Sequence, residues 1–458
     1  MRKYKLTVVN LNSLPNLGFS SVFPVGGNYV RSLLLEMNTE AAFIDFVERP
    51  DLFESLEFCS WEFDCIAFSI RNLDSMELDG EYLFKYYLEI TKVIIARAKK
   101  HNPAVKILLG GSAITAYPEG FTEKFPFDAV IENDTEQQLF SFISAHIHEL
   151  QDEGQAVQML SPCPFRFSFE IGYDEALVQA YLRIGATQIG IPTRCGGRCP
   201  MQCIYCSYGL LDQNTNYTRS LEHIRSEILS LYKTGVRELF FTDSLINISL
   251  GHARDICKLL IELNLPGLRW SAYARPTGNE EFIRLAARSG CRMLSVSFDT
   301  FSPSMLISLK KGFTLEAVQK FLELCKKYEL PVVGLLLFGG PEETQLTIRE
   351  TCEFANRYLE PGQLFFSFGI RISPGSGLEV LLGQSRTELV IPHFLSFDDR
   401  IFDYVLTYLD GRFVSMNLLL KISKWRASYK KMHYKKTNHP HLSVVHAEVS
   451  APVKEEIL

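Results

Sequence analysis

Arg194-Cys195-Gly196-Gly197-Arg198-Cys199-Pro200-Met201-Gln202-Cys203-Ile204-Tyr205-Cys206-Ser207 decides how the rest of the chain is read. Cys199, Cys203 and Cys206 stand in a C-x3-C-x2-C spacing, too tight for three independent core cysteines. Thiolates bind soft iron, and closely spaced cysteines hold iron–sulfur clusters. Three protein ligands on a four-iron cluster leave one iron open to a substrate or cofactor. The competing metal is zinc, which would want a fourth Cys or His at similar spacing. Only Cys195 is near, and C-x3-C-x3-C-x2-C is an unusual zinc pattern, so Cys195 reads as a spare thiol.

The chain has 458 residues, long enough for several domains with their own cores. Hydrophobic residues make up 47% and charged ones 22%, the balance of a soluble globular protein. A net charge of −6 gives no electrostatic reason to expect nucleic acid as the main partner. The remaining cysteines (Cys59, Cys65, Cys163, Cys257, Cys291, Cys325, Cys352) lack the paired spacings of a secreted disulfide framework, which fits a reduced interior. Met1 to Lys5 lead into a strand-like run rather than a signal peptide, and the longest apolar stretch, Pro331 to Gly340, is far short of a membrane span. A cytoplasmic protein is expected.

Upstream of the cysteine loop, strand-like runs at Leu6–Leu11, Ala41–Phe46, Cys65–Ile70, Val105–Leu109 and Ala129–Ile131 alternate with helix-like ones. The alternation predicts a doubly wound, Rossmann-like parallel sheet over residues 1–155, with its ligand at the carboxyl ends of the strands. Ser69, Arg71 and Asn72 follow the third strand, Gly110, Gly111 and Ser112 the fourth, and Glu132 the fifth. Residues 156–182, punctuated by Ser161-Pro162-Cys163-Pro164, read as a linker.

Downstream, strands near Gln188–Pro192, Glu238–Asp243, Leu268–Ala274, Met293–Phe298, Val332–Phe338 and Leu364–Ile372 alternate with helices. Six such units over residues 183–385 fit a partial (β/α)6 barrel, whose chemistry gathers at the strands' carboxyl ends. Asp243, Ser244 and Asn247 follow the second strand, Tyr273 and Arg275 the third, Ser297 and Asp299 the fourth, Gly339 and Gly340 the fifth, and Arg371 the sixth. Residues 386–458 read as a small, mainly helical region with a loose tail. Its run of Lys421, Lys424, Arg426, Lys430, Lys431, Lys435 and Lys436 around Trp425, Tyr429 and Tyr434 reads as a solvated basic helix face anchored by aromatics.

The cysteine spacing, with Tyr205 just before the last thiol, resembles the signature of the radical S-adenosylmethionine (SAM) superfamily. The stretch from Ile107 through Gly110-Gly111-Ser112 to Pro118, Glu119 and Gly120 resembles the cobalamin-binding domain ahead of many such cores, although Glu132-Asn133-Asp134 replaces the usual glycine-bearing turn. The resemblance is to the cobalamin-dependent, class B members. It implies a [4Fe–4S] cluster on Cys199, Cys203 and Cys206, SAM on the open iron, and cobalamin against the first domain. An electron donor such as flavodoxin or ferredoxin is implied as a partner, beside a small-molecule or peptide substrate.

By the same resemblance, corrin contacts would come from Ser69, Arg71, Asn72, Gly110, Gly111, Ser112 and Glu132. SAM contacts would come from Tyr205, Asp243, Ser244, Asn247, Arg275, Ser297, Asp299, Gly339, Gly340 and Arg371. The first loop, Asn12 to Gly27, offers no histidine to the cobalt. Ser69-Ile70-Arg71-Asn72-Leu73-Asp74 instead resembles a stretch of the tryptophan-methylating branch, in which an arginine lies beneath cobalt without coordinating it. Arg71 takes that position, and Arg71, Tyr273 and Arg275 are the catalytic candidates. The implied activity is C-methylation of a natural-product precursor or peptide. A non-methylating rearrangement, cyclisation or oxidation with the same cofactors stays open, as does a non-catalytic cobalamin or SAM sensor. The methylthiotransferase branch needs three more cysteines upstream, where only Cys59 and Cys65 stand.

Overall fold

The computed structural model describes residues 1–14, 22–73, 83–116, 127–132, 135–164, 168–186, 188–195, 199, 201–207, 217–383, 393–433 and 444–446. Each stretch of β–α alternation forms its own parallel sheet. The first contains β1 (Lys5–Asn10), β2 (Glu40–Asp45), β3 (Cys65–Ser69), β4 (Lys106–Gly110) and β5 (Ala129–Ile131), in the order β2-β1-β3-β4-β5. Alternate residues of β1 enter different cores. Leu6 and Val8 pack with Leu33, Ile143 and Ile147, from helices Val25–Glu36 and Thr135–Asp152. Val9 packs with Phe68, Ile107 and Ile94, the last from helix Phe84–His101. Burial on both faces is what an all-parallel sheet requires.

Strand order reverses between β1 and β3, where a ligand crevice opens in sheets of this kind. The register aligns Asp45, Asn10, Ser69, Gly110 and Ile131 in one row along the carboxyl edge.

The second sheet starts with β6 (Ile189–Ile191), which leads into an antiparallel hairpin of β7 (Arg194–Cys195) and β8 (Tyr217–Thr218). β9 (Glu238–Phe241), β10 (Arg269–Tyr273), β11 (Cys291–Asp299), β12 (Val332–Phe338) and β13 (Leu364–Phe368) then join β6 in a parallel sheet in chain order. β6 and β13 are its two edges, so the barrel is partial. Along β11, Leu294 and Phe298 enter the apolar core, while Met293, Ser295 and Ser297 turn to a cavity.

The stretch read as a linker contains a helix, Glu175–Arg183, that the sequence reading missed. Asp174 starts it by accepting from the N–H groups of Ala176 and Leu177 at 3.0 and 3.2 Å. Leu177, Val178 and Tyr181 bury in the barrel core. The residues before it are fixed too. Ile171 N–H donates to Glu227 at 2.7 Å, and Glu227 is paired with the fully buried Arg219. Only a short periodic run was available to reveal this helix, and proline-rich sequence upstream masked it.

The carboxyl-terminal region has helices Ile401–Tyr408 and Met416–His433, plus an antiparallel pair, β14 (His393–Leu395) and β15 (Val444–His446), not expected from sequence. Trp425 and Tyr429 are buried while Lys421, Lys424, Lys430 and Lys431 stay exposed, as a solvated basic face requires. Tyr434, Lys435, Lys436 and most of the tail lie outside the described residues, as do Pro118, Glu119, Gly120, Asn133 and Asp134. Among the described residues no helix is long and apolar enough to cross a membrane. Met305, Leu309, Ile370, Ile372 and Leu378, beyond the barrel strands, share one core with Val9 and Phe68 of the first sheet and with Leu11 and Ile70 just after its strands.

Candidate active site

The cysteine loop turns at Cys203, whose carbonyl accepts the Cys206 N–H at 3.0 Å. Ile204, inside that turn, is gripped through its backbone from both sides. Its N–H donates to the Leu309 carbonyl at 3.1 Å, and its carbonyl accepts from Leu378 N–H at 2.9 Å. Gly377 permits the approach, since a Cβ there would lie 3.0 Å from the Ile204 side chain. The loop is thereby fixed to segments that follow β11 and β13.

Cys199, Cys203 and Cys206 are half-buried, and none is in a disulfide. All three line one cavity of about 920 Å³, together with Ser244, Tyr273, Arg275, Ser297 and Lys311. Its apolar wall includes Leu245, Val296, Leu335 and Phe365. Among the described residues no group of three or more His, Cys, Asp or Glu is gathered closely enough to hold a metal ion. The donor set does suit a larger thiolate-bound cluster: three sulfurs border one chamber, and the buried Lys311 ammonium, bonded to Tyr205 of the cysteine loop, borders it too.

Sequence-predicted residues after the barrel strands divide into two groups. Ser244, Tyr273, Arg275 and Ser297 line the chamber, as does Tyr205. Asp243 instead holds the entrance to the cysteine loop. Its Oδ1 accepts from Thr193 N–H at 3.1 Å and Arg194 N–H at 2.8 Å, and its Oδ2 from the Thr193 hydroxyl at 2.6 Å. Burial pushes this carboxyl up to about 6. Asn247 exchanges two hydrogen bonds with the Arg275 backbone, at 2.9 and 3.0 Å, and so sets where Arg275 leaves β10.

Asp299 is buried against Tyr205 and Lys311. Gly339 and Gly340 donate their N–H groups to Glu343, and Cβ atoms there would lie 2.8 Å from Phe397 and 2.7 Å from Met305. Their bareness thus accommodates protein packing. Arg371 is buried and bridges to Phe394.

On the first sheet, Ser69, Arg71, Asn72, Gly110, Gly111, Ser112 and Glu132 all fall along the carboxyl edge. Gly111 has φ of +106°, and a side chain there would strike the Ile70 carbonyl oxygen at 2.3 Å. The sequence reading gave that space to a ligand; the backbone of Ile70 fills it. Asn12, missed from sequence, is the hub of this edge. Its side chain accepts Arg71 N–H, and donates to the Asn72 carbonyl at 3.3 Å and the Tyr87 hydroxyl at 2.9 Å. Ser112 donates to the Arg71 carbonyl at 2.9 Å. Glu132 donates its N–H to Gln138 at 2.8 Å. Lys311 was missed as well; the only hint in the sequence is a cation just before Gly312, after the fourth barrel strand.

Residues 193–355 match the radical SAM superfamily, a stretch that includes the cysteine loop and β9 to β12. The chain is 26% identical over 276 residues to an uncharacterized methyltransferase of Pyrococcus horikoshii, covering 57% of this chain and 60% of that protein. It is 26% identical over 200 residues to a tryptophan 2-C-methyltransferase of Streptomyces laurentii, covering 41% of this chain and 33% of that one. The aligned region therefore spans less than two thirds of either relative. In structure, the chain superposes on a radical SAM methyltransferase, TsrM, from Kitasatospora setae with a TM-score of 0.66 at 21% identity, over 84% of this chain and 75% of that one. That structure contains cobalamin and a [4Fe–4S] cluster, and another of the same protein contains tryptophan and a SAM analogue. At this identity the likeness establishes a shared fold.

Proposed function

We propose that this chain, which carries a radical SAM domain at residues 193–355, is a cobalamin-dependent C-methyltransferase acting on a small molecule or peptide. The observation that carries the reading is the meeting of three thiols on one chamber of about 920 Å³ at the carboxyl ends of a partial barrel. The names of the relatives favour methyl transfer over rearrangement, cyclisation or sensing. Residues 1–155 would form the cobalamin-binding domain, 156–182 the connection, 183–385 the radical SAM core, and 386–458 the cover.

Cys199, Cys203 and Cys206 would hold the cluster, and Arg71, Ser69 and Asn72 would face the corrin. Bound there, the cluster with SAM supplies a reducible centre and methyl groups, and cobalamin supplies a methyl carrier. The chain's own work is placement. Tyr273 and Arg275 border the reacting space, and Leu245, Val296, Leu335 and Phe365 give it an apolar wall. A chamber near the upper end of the usual ligand-pocket range, about 300–1,000 Å³, has room for SAM and a compact substrate together. An external low-potential donor such as flavodoxin or ferredoxin would reduce the cluster.

Anaerobic reconstitution followed by iron, sulfide and cobalamin quantification tests the cofactors. Tryptophan and related aromatic compounds are the first substrates to offer, and mass spectrometry should find a product heavier by one CH2. Protein that takes up neither iron nor corrinoid would overturn the reading.

A further inference from the structure

Lys311 lies against the cysteine loop, and its amine is almost sealed from solvent, with 2% of the side chain exposed. The amine donates to Asp299 Oδ2 at 2.6 Å and to the Tyr205 hydroxyl at 3.2 Å. Tyr205 donates to the same Asp299 oxygen, so carboxylate, phenol and ammonium form a closed triangle. The other carboxylate oxygen, Oδ1, is buried and makes no hydrogen bond among the described residues. Asp299 has φ of +64° and sits where the pairing of β11 with β12 slips. A left-handed non-glycine residue is strained and persists only where its surroundings over-determine it. Tyr205 and Lys311 line the chamber beside Cys203 and Cys206.

We propose that Lys311 is a positioning residue for the metal cluster: its ammonium, anchored by Asp299 and by Tyr205 inside the cysteine loop, places a positive charge beside the three thiols and makes the cluster easier to reduce. The inference rests on the reading of Cys203 as a cluster ligand. One electron arrives from an external low-potential donor and stays on the cluster, and Lys311 keeps its protons throughout. The reduced state carries one more negative charge, so a nearby cation and N–H donor favour it. The Lys311 side chain is sealed from solvent, so its field is weakly screened. Asp299 has a second effect. Its negative charge offsets part of the ammonium's field, so the two residues should act on the cluster with opposite sign.

Redox titration of anaerobically reconstituted full-length protein, followed by electron paramagnetic resonance, reads this directly. The midpoint potential should become more negative in K311M, stay near the parent value in K311R, and become less negative in D299N. Iron and sulfide per chain are measured alongside. A parent protein that holds no cluster removes the cluster assignment and this inference together. A loaded cluster whose midpoint does not move in K311M and D299N, or moves the same way in both, overturns the role of Lys311 and leaves the cluster assignment standing. Should K311M fail to retain iron, the sign of the D299N shift decides.

Discussion

The two parallel sheets both end in polar residues, yet they use them differently. At the barrel's carboxyl edge the polar side chains divide by direction: Ser244, Tyr273, Arg275 and Ser297 face the chamber, while Asp243, Asn247 and Asp299 secure loops. At the edge of the first sheet the described polar groups mostly hold one another. Asn10 donates to Asp45 at 2.7 Å, Tyr181 donates to the same carboxylate at 3.1 Å, and Asn12 pins the backbone of Arg71 and Asn72. A strand-end position therefore names a neighbourhood and leaves the task open. Whether a side chain meets backbone partners or open space decides between scaffold and site.

The largest effect expected is on the barrel side alone. Replacing Cys199, Cys203 and Cys206 together by Ala should abolish SAM cleavage, measured by chromatography of the cleavage products, while cobalamin still binds. Loss of cobalamin as well would show that the two edges do not function separately, and retained cleavage would refute the ligand assignment.

Next comes Asp243. Its carboxyl titrates near 6 in the fold, above the ordinary value of 3.8, because burial penalises the anion. A raised folded value means stability that is fully present below the ordinary value and is lost as pH rises through about 6. An Asn can keep Oδ1 as acceptor for both N–H groups and turn its amide toward the Thr193 hydroxyl. D243N should therefore melt above the parent at neutral pH, by up to about 3 kcal/mol in unfolding free energy. The gap should close toward pH 4, roughly the ordinary carboxylate value. Equal melting temperatures across that range would remove the burial argument.

On the first sheet, N12A leaves the Arg71 N–H without its acceptor and should cost about 2 kcal/mol of stability. Cobalamin binding, followed by absorbance titration, should weaken while iron loading is unchanged. An unchanged corrinoid affinity would separate Asn12 from the site. Smallest is Y181F, which deletes the hydroxyl on Asp45 and should cost about 1 kcal/mol, read by denaturant unfolding.

The architecture was legible because alternation of buried strands and amphipathic helices repeats over long windows. Val332–Phe338 and Leu315–Lys327 occupy the positions that their periodicity implies. Ser244, Tyr273, Arg275 and Ser297 of the chamber were picked out too, as polar side chains at the ends of apolar runs. Hidden from sequence were features set by contacts far apart in the chain. Nothing near Asp299 announces Lys311 as its partner, and nothing near Asn12 announces the backbone of Arg71. Gly111 was conspicuous, but sequence could not tell a ligand's approach from that of Ile70. Helix Glu175–Arg183 was lost because its burial partners come from the later barrel.

The grip on Ile204 has a consequence for biogenesis. Leu309 and Leu378, which bracket the cysteine loop, emerge from the ribosome long after the thiols do. A nascent chain therefore exposes three thiols on a loop held from one side at most until translation has passed residue 378. Iron delivered earlier would meet a loop without that grip, so the site is complete only once residue 378 has emerged.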